Sequence, residues 1–287
     1  MTLVDENLGG SPDEPIAGEI RVVRLARAVA ARLEGAPFVM GRIHSVFTRC
    51  VNVECRDGRI VAFHAPGPLA APFAASLSVV PDLGAVRAGD LVRRRGDRLR
   101  LGPLELAFTP AARVDLSMPR GAHPSRCVAD ALGEMGALPG APALDLPPAR
   151  QARARLAEAI RSGDADGFVA AGRALMGLGE GLTPAGDDCL VGALAVLAGS
   201  DTAFLTSRAR TRLARDAAER TTAIGREFIL HALEGAFAEP VLALFAAETA
   251  PAASLAAAAL ARTGATSGAD TLTGIRLAVE AVEARRA

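Results

Sequence analysis

The apolar positions fall into two rhythms along the chain. After Ser11-Pro12-Asp13-Glu14, a helix-start combination, Ile20, Val23, Ala26, Ala30 and Leu33 recur at helical spacing until Gly35 stops the run, which predicts an N-terminal helix. From Phe38 to about Leu116 the apolar runs shorten to strand length. In "VNVECRDGRIVAF" two such runs flank Asp57-Gly58, a tight hairpin signal, and further strands are expected around Leu77–Val80, Asp90–Arg94, Arg98–Leu101 and Leu104–Phe108. Short strands with Gly and Pro turns and no helices between them predict a small antiparallel β-barrel or sandwich.

The second rhythm is helical. Ser125 caps a predicted helix in "HPSRCVADALGEMGAL", the Pro-rich connector "LPGAPALDLPPA" follows, and from Arg150 onward alanine, leucine and arginine dominate. Helices are expected at 150–162, 164–176, 187–199, 202–218, 220–235, 239–249, 251–263 and 269–285, with alanine stretches such as "SLAAAALA" allowing close approach. The fold class is therefore α+β: an N-terminal helix plus a barrel-like domain over residues 1–120, then an all-α helical bundle over residues 121–287. A length of 287 residues, half of them hydrophobic, suits two cores.

Charge and composition narrow the chemistry. The 32 basic residues balance the 32 acidic ones, so no field of one sign points to nucleic acid or an anionic membrane as partner. Every basic residue is an arginine, and tyrosine is absent as well, which removes Schiff-base chemistry, a P-loop lysine and a tyrosine acid. Cys50, Cys55, Cys127 and Cys189, with His44, His64, His123 and His231, are scattered without zinc-ligand spacing. Asp5 and Glu6 stand where a signal peptide would carry positive charge, and the apolar run Cys189–Gly199 is too short to span a bilayer. A soluble, reduced, cytoplasmic protein is expected.

The densest signal is "GLGEGLTPAGDDCLVGAL", Gly177–Leu194, in which five glycines and two adjacent aspartates precede an apolar segment. Its second half has an echo. "GDDCLVG" at Gly186–Gly192 and "GADTLTG" at Gly268–Gly274 both read Gly-x-Asp-x-Leu-x-Gly, each at the opening of a predicted helix, with Thr183-Pro184 before the first and Thr266-Ser267 before the second. Asp188 with Gly192, and Asp270 with Gly274, are i, i+4 pairs, so each carboxylate stands above a notch where a backbone or ligand can approach the helix closely. Two helix N-termini facing one space would seat a small anion, with Gly181, Gly186 and Gly268 leaving the backbone open. Three uses of Asp187, Asp188 and Asp270 stay open: ordinary capping acids, ligands for a divalent cation such as magnesium, or metal-free groups that position or deprotonate substrate.

Two smaller clusters add candidates. "ERTTAIGREF" places Arg220, Thr221 and Thr222 near a helix start, where arginine and hydroxyls can grip a carboxylate or phosphate, or simply form a solvated, threonine-capped first turn. "GRIHSVFTRCVNV" sets His44 beside Ser45, hence on opposite faces of a regular strand, an arrangement that keeps them from pairing.

Together "GLGEGLTPAGDDCLVGAL", "RTTAIGREFILHALEG", "GATSGADTLTG", "IHSVF" and "VNV" resemble a family that includes AllH, a subunit of oxamate carbamoyltransferase, over residues 38–285. The family pattern usually has a serine at the place of Ala185 and an aromatic at that of Cys189. The resemblance implies a transferase subunit working beside an acyl-CoA-synthetase-like subunit and a third protein, in a reaction where oxalurate and phosphate yield oxamate and carbamoyl phosphate. A small anionic substrate would then lie beside Asp187, Asp188 and Asp270. Two other readings stand next to it. "GADT" also looks like part of the ADP-ribosylglycohydrolase signature, which implies an independent magnesium-dependent helical hydrolase; and the glycine motif would serve equally in a noncatalytic assembly or regulatory subunit, where it merely shapes a helix crossing.

Overall fold

A computed structural model describes residues 19–108, 110–119, 121–136, 140, 142–200 and 204–286. Its first part is a barrel of short strands: β1 (Ile20–Ala26), β2 (Val39–Phe47), β3 (Cys50–Cys55), β4 (Ile60–His64), β5 (Ala74–Leu77), β6 (Leu91–Arg95), β7 (Arg98–Leu101) and β8 (Leu104–Ala107). They run in the order β5-β4-β3-β2-β6-β7-β8-β1, and β1 returns to β5 antiparallel through Val22 opposite Leu77 and Leu25 opposite Ala75, which closes the ring. β9 (Ala112–Val114) extends the sheet beside β1. Most neighbours are antiparallel, as the hairpin signals predict, but β4–β5, β1–β8 and β1–β9 run parallel. Among the described residues, closure leaves no long open edge for other chains to pair with.

Burial follows the period of two where one face meets water. In β7, Leu99 and Leu101 are fully buried while Arg100 is exposed. β5 is buried along its whole length, and β4 along all but its last residue. Of these two strands, β4 packs against the helix at Ala223–Leu233.

The predicted N-terminal helix is corrected. Its start at Ser11–Glu14 lies outside the described residues; Ile20–Ala26 forms β1, and only α1 (Arg27–Glu34) is helical, ended by Gly35. Helical spacing of Ile20, Val23 and Ala26 was compatible with both states, and β-branched Ile20 and Val22 found partners on β8 and β5, with Arg24, Leu25 and Ala26 pairing to β9. The strand expected at Leu77–Val80 sits earlier, at Ala74–Leu77, leaving Val79 and Val80 exposed.

The remainder is helical: α2 (Arg126–Glu134), α3 (Pro147–Ser162), α4 (Ala165–Leu175), α5 (Ala185–Gly199), α6 (Ser207–Arg220), α7 (Ala223–Leu233), α8 (Glu239–Phe245), α9 (Ala250–Ala261) and α10 (Ser267–Arg286). Local chemistry sets many of the ends. Ser125 accepts from Val128 N, Asp164 from the amides of Asp166 and Gly167, and Thr222 from Gly225 N; Gly163 closes α3 in the left-handed conformation. The connector contains one 3₁₀ turn, Pro142–Asp145. α5 is buried on all sides except at Ala198, which makes it the central helix, packed on α10, α7 and α4.

The barrel and the helices meet at a polar and apolar seam. Arg24 grips Glu239 with two nitrogens, at 2.5 and 3.1 Å, while Glu239 also accepts the Leu69 amide and donates its own to the Leu69 carbonyl. Arg59 Nε lies 2.6 Å from Glu227, and Ile224 of α7 joins the barrel's apolar cluster. Such forked arginine–carboxylate contacts fix orientation as well as distance.

Candidate functional site

The two Gly-x-Asp-x-Leu-x-Gly segments form the first turns of α5 and α10 and cross each other in a reciprocal way. A Cβ on Gly192 would overlap the Thr271 carbonyl, and one on Gly274 would overlap the Cys189 carbonyl; Cys189 and Thr271 hold the same place in the two motifs. The leading glycines are matched too. Gly186 packs against the Leu175 carbonyl at the end of α4, and Gly268 against the Leu260 carbonyl near the end of α9. The notch below each aspartate is therefore filled by the other helix's backbone, and glycine is required because nothing larger fits.

The three aspartates diverge from this crossing. Asp187, 1% exposed, accepts from the Gly177 amide at 2.8 Å and from the Thr221 hydroxyl, and its carboxylate lies against Gly225 at the start of α7. Burial pushes its pKa up to about 6, with the Thr221 and Gly177 bonds pulling the other way. This carboxylate ties the glycine loop to α7. Thr222 reinforces the tie by capping α7 while donating to the Leu182 carbonyl.

Asp188, one residue and about 100° further round the helix, faces elsewhere. It lines a cavity of about 250 Å³ at the seam between barrel and helices. The Ser267 and Thr183 hydroxyls lie beside its carboxyl and bond to each other, Thr183 Oγ1 to Ser267 Oγ at 2.8 Å. Burial raises Asp188 well above the ordinary carboxylate range; the hydroxyl bonds oppose that shift, and the nearby charges of Asp270 and Asp187 reinforce it. Its Oδ2 is buried without a hydrogen-bond partner. Phe228, Phe237, Val241 and Leu260 supply apolar wall from the helices, and Ala70 and Pro72 from the barrel. A concave apolar site with a few convergent polar groups between two structural units is a usual setting for small-molecule binding.

Asp270 is fully buried and its carboxylate lies against Gly140 in the connector, while its amide bonds to the Thr266 carbonyl. It is near enough to Asp188 to raise that group's pKa but does not line the cavity. Gly268 does line it; Gly181 is an exposed turn residue with φ of +90°, and Gly186 is a packing position. Arg220 is exposed at the end of α6, with its carbonyl against Gly177, and no arginine or histidine lines the cavity among the described residues. The carboxylates do not share a ligand set: among the described residues no group of three or more His, Cys, Asp or Glu side chains is placed to hold a metal ion. Cys189, wholly buried, has its thiol pushed up to about 12 by burial and is no nucleophile at neutral pH.

His44 and Ser45 correct another expectation. The β2–β3 register shifts between Ile43 and Ser45, a bulge that turns both side chains the same way, so His44 Nδ1 lies 3.1 Å from Ser45 Oγ, which also accepts from Asn52 Nδ2 at 2.9 Å. Neither residue lines the cavity.

Sequence reasoning missed the second polar cluster at the seam. Glu227, 1% exposed, binds Arg59 and lies 3.3 Å from His231 Nε2, and the His231 ring stacks on Phe73. Burial works to raise Glu227, but the bonds to His231 and Arg59 outweigh it and hold the carboxylate below its ordinary value. The i, i+4 spacing of Glu227 and His231 on α7 was the available signal. No local sequence pattern separates a core phenylalanine from one that walls a cavity, as Phe228 and Phe237 do.

Among the described residues no helix is long and apolar enough to cross a membrane. In comparisons with known proteins, residues 175–279 match a family model described as oxamate carbamoyltransferase subunit AllH, and residues 21–116 match one described as the AllH family N-terminal domain. No curated protein and no solved structure matches the chain.

Proposed function

The chain belongs to the AllH family, and on that premise we propose that it is a cytoplasmic subunit of an oxamate-carbamoyltransferase-type assembly, acting on small carboxylate and carbamoyl phosphate substrates. Its partners in this reading are an acyl-CoA-synthetase-like subunit and a third subunit. One observation carries the placement of the site: helix openings far apart in sequence meet through the Thr183–Ser267 bond on a single buried carboxyl, Asp188, in the wall of the seam cavity.

The chemistry asked of such a site is modest. Phosphate oxygen attacks the carbamoyl carbon of an oxalurate-like substrate, the carbon–nitrogen bond breaks, and the departing nitrogen needs a proton. A carboxyl held neutral by burial is suited to give it, and the proton released from hydrogen phosphate restores the acid. Asp188 is the donor in this scheme, with Ser267 and Thr183 orienting it. Asp187, through Gly177 and Thr221, keeps the glycine loop in register with α7. Asp270, Thr222, Gly186 and Gly192 hold the crossing and its surroundings.

The test is co-purification with the products of neighbouring genes, followed by an assay for phosphate-dependent carbamoyl phosphate formation from oxalurate. Asp188→Ala in the assembled complex is expected to remove most of the activity while the complex still forms. Full activity of an Asp188→Ala, Asp270→Ala double variant would instead make this chain a noncatalytic assembly subunit.

A further inference from the structure

We propose that the arginine-lined outer face of the β6–β7 hairpin is a second binding site, built for a small ligand that carries linked phosphates. The site shares no residue with the seam cavity and stands whatever enters that cavity.

Strand alternation builds the face. Val92, Leu99 and Leu101 are buried in the barrel, so Arg93 and Arg95 on β6 and Arg98 and Arg100 on β7 turn to the outside together. The register sets Arg93 directly opposite Arg100, and Arg95 opposite Arg98. Like charges in opposed positions repel, so two such pairs side by side are a standing cost to the sheet. Two carboxylates answer it in part: Glu105, opposite Arg100 on β8, and Glu19 both reach Arg98, at 3.1 and 2.7 Å. Arg100 commits Nε to the Gly102 carbonyl, and the guanidinium groups of Arg93 and Arg95 make no hydrogen bond or ion pair among the described residues. Four arginines against two carboxylates leave two positive charges unanswered.

Shape and spacing narrow the ligand. The four arginines, Glu105 and Phe38 line a concavity of about 400 Å³, the size of a small-molecule site. Opposed residues of an antiparallel pair stand about 5 Å apart and successive outward residues about 7 Å apart, a span that two linked phosphates can cover and a lone carboxylate cannot. Each planar guanidinium fork bonds phosphate oxygens two at a time, and a multiply charged ligand answers the excess that a monoanion leaves half unmet. Phe38 stands beside them: its carbonyl accepts the Arg94 amide, and the residue is 60% exposed on the rim of the concavity. A flat ring joined to the phosphates could lie against it.

The full-length chain is titrated calorimetrically with pyrophosphate, ADP and orthophosphate. Pyrophosphate or ADP is expected to bind at least about tenfold more tightly than orthophosphate. Arg93→Gln combined with Arg100→Gln is expected to weaken that binding at least about tenfold, while Arg215→Gln on α6 leaves it within about twofold. Because Arg93 and Arg100 repel each other in the unliganded chain, the double variant is expected to melt no earlier than the wild type, which separates lost binding from lost folding. Phe38→Ser weakening ADP and sparing pyrophosphate would identify a nucleotide as the source of the phosphates; equal binding of the two, untouched by Phe38→Ser, would identify pyrophosphate itself. Orthophosphate binding as tightly as pyrophosphate, unchanged binding in the double variant, or no binding of any probe would overturn the proposal. So would tight binding that appears only when Asp5, Glu6, Asp13 and Glu14 are replaced by their amides, since the chain's own acidic residues would then be the occupant of the face.

Discussion

The openings of α5 and α10 share a sequence pattern and a backbone arrangement, yet their aspartates live in different surroundings. Asp188 shares its hydroxyl partners with a cavity wall, whereas Asp270 is sealed against Gly140 of the connector. The crossing itself is even-handed, with Gly192 and Gly274 each admitting the other helix's carbonyl. What separates the two is what packs above them. The barrel residues Ala70 and Pro72, Phe228 of α7 and the segment Ala236–Ala238 leave space beside Asp188, while Gly140 of the connector lies against Asp270. A repeated motif thus specifies a helix crossing, and the covering segments decide which of the two aspartates lines the cavity.

The most severe way to probe this comparison is at the crossing. Gly192→Ala and Gly274→Ala each drive a methyl into a carbonyl, and both are expected to cost about 4 kcal/mol or more, read by chemical denaturation or as loss of folded protein. Tolerance of one and not the other would break the even-handed description. Next in size is the divergence of the aspartates: in the assembled complex Asp188→Ala is expected to lower turnover about 100-fold, the range of a lost general acid, and Asp270→Asn less than about tenfold. Equal losses would restore a two-sided site.

Asp187 supplies a pH-dependent comparison. Its folded pKa of about 6 exceeds the ordinary 3.8, so the folded state holds the proton more tightly and stability falls as pH rises from about 4 to about 6, then levels. Relative to Asp187→Asn, the wild type is expected to lose roughly 2 kcal/mol across that window, measured by unfolding at several pH values. Parallel pH profiles for the two proteins would mean that Asp187 is not desolvated as its contacts imply. The smallest effect concerns one of the unmatched positions at the crossing. Ala185 and Ser267 begin their helices at equivalent places, and Ala185→Ser is expected to move the melting free energy by no more than about 1 kcal/mol.

The helical half was legible because local rules dominate it. Ser125, Asp164 and Thr222 cap where their side chains permit, and alanine and leucine periodicity marks the segments to within a few residues. The barrel was legible as short strands and turns, with Asp57-Gly58 in the expected hairpin, but β1 was misread because its partners lie some fifty to ninety residues away. The His44–Ser45 contact was hidden for a similar reason, since a bulge inserts no local mark and defeats the alternation rule. At the site, the motif echo announced the crossing of α5 and α10. Which neighbour each aspartate meets depended on tertiary packing: adjacent Asp187 and Asp188 point to α7 and to the cavity, and the Gly140 cover over Asp270 comes from a connector with no helical pattern.

Had the α5 and α10 openings belonged to two copies of one polypeptide, every substitution at their interface would be made twice and any pocket on one side would recur on the other. Covalent linkage within a single chain removes that constraint. Ser267 can keep a hydroxyl while its equivalent at 185 is an alanine, and one opening can be given over to rigidity while the other keeps an accessible carboxyl. The chain thereby holds a symmetric frame with an asymmetric interior, a freedom that identical subunits do not have.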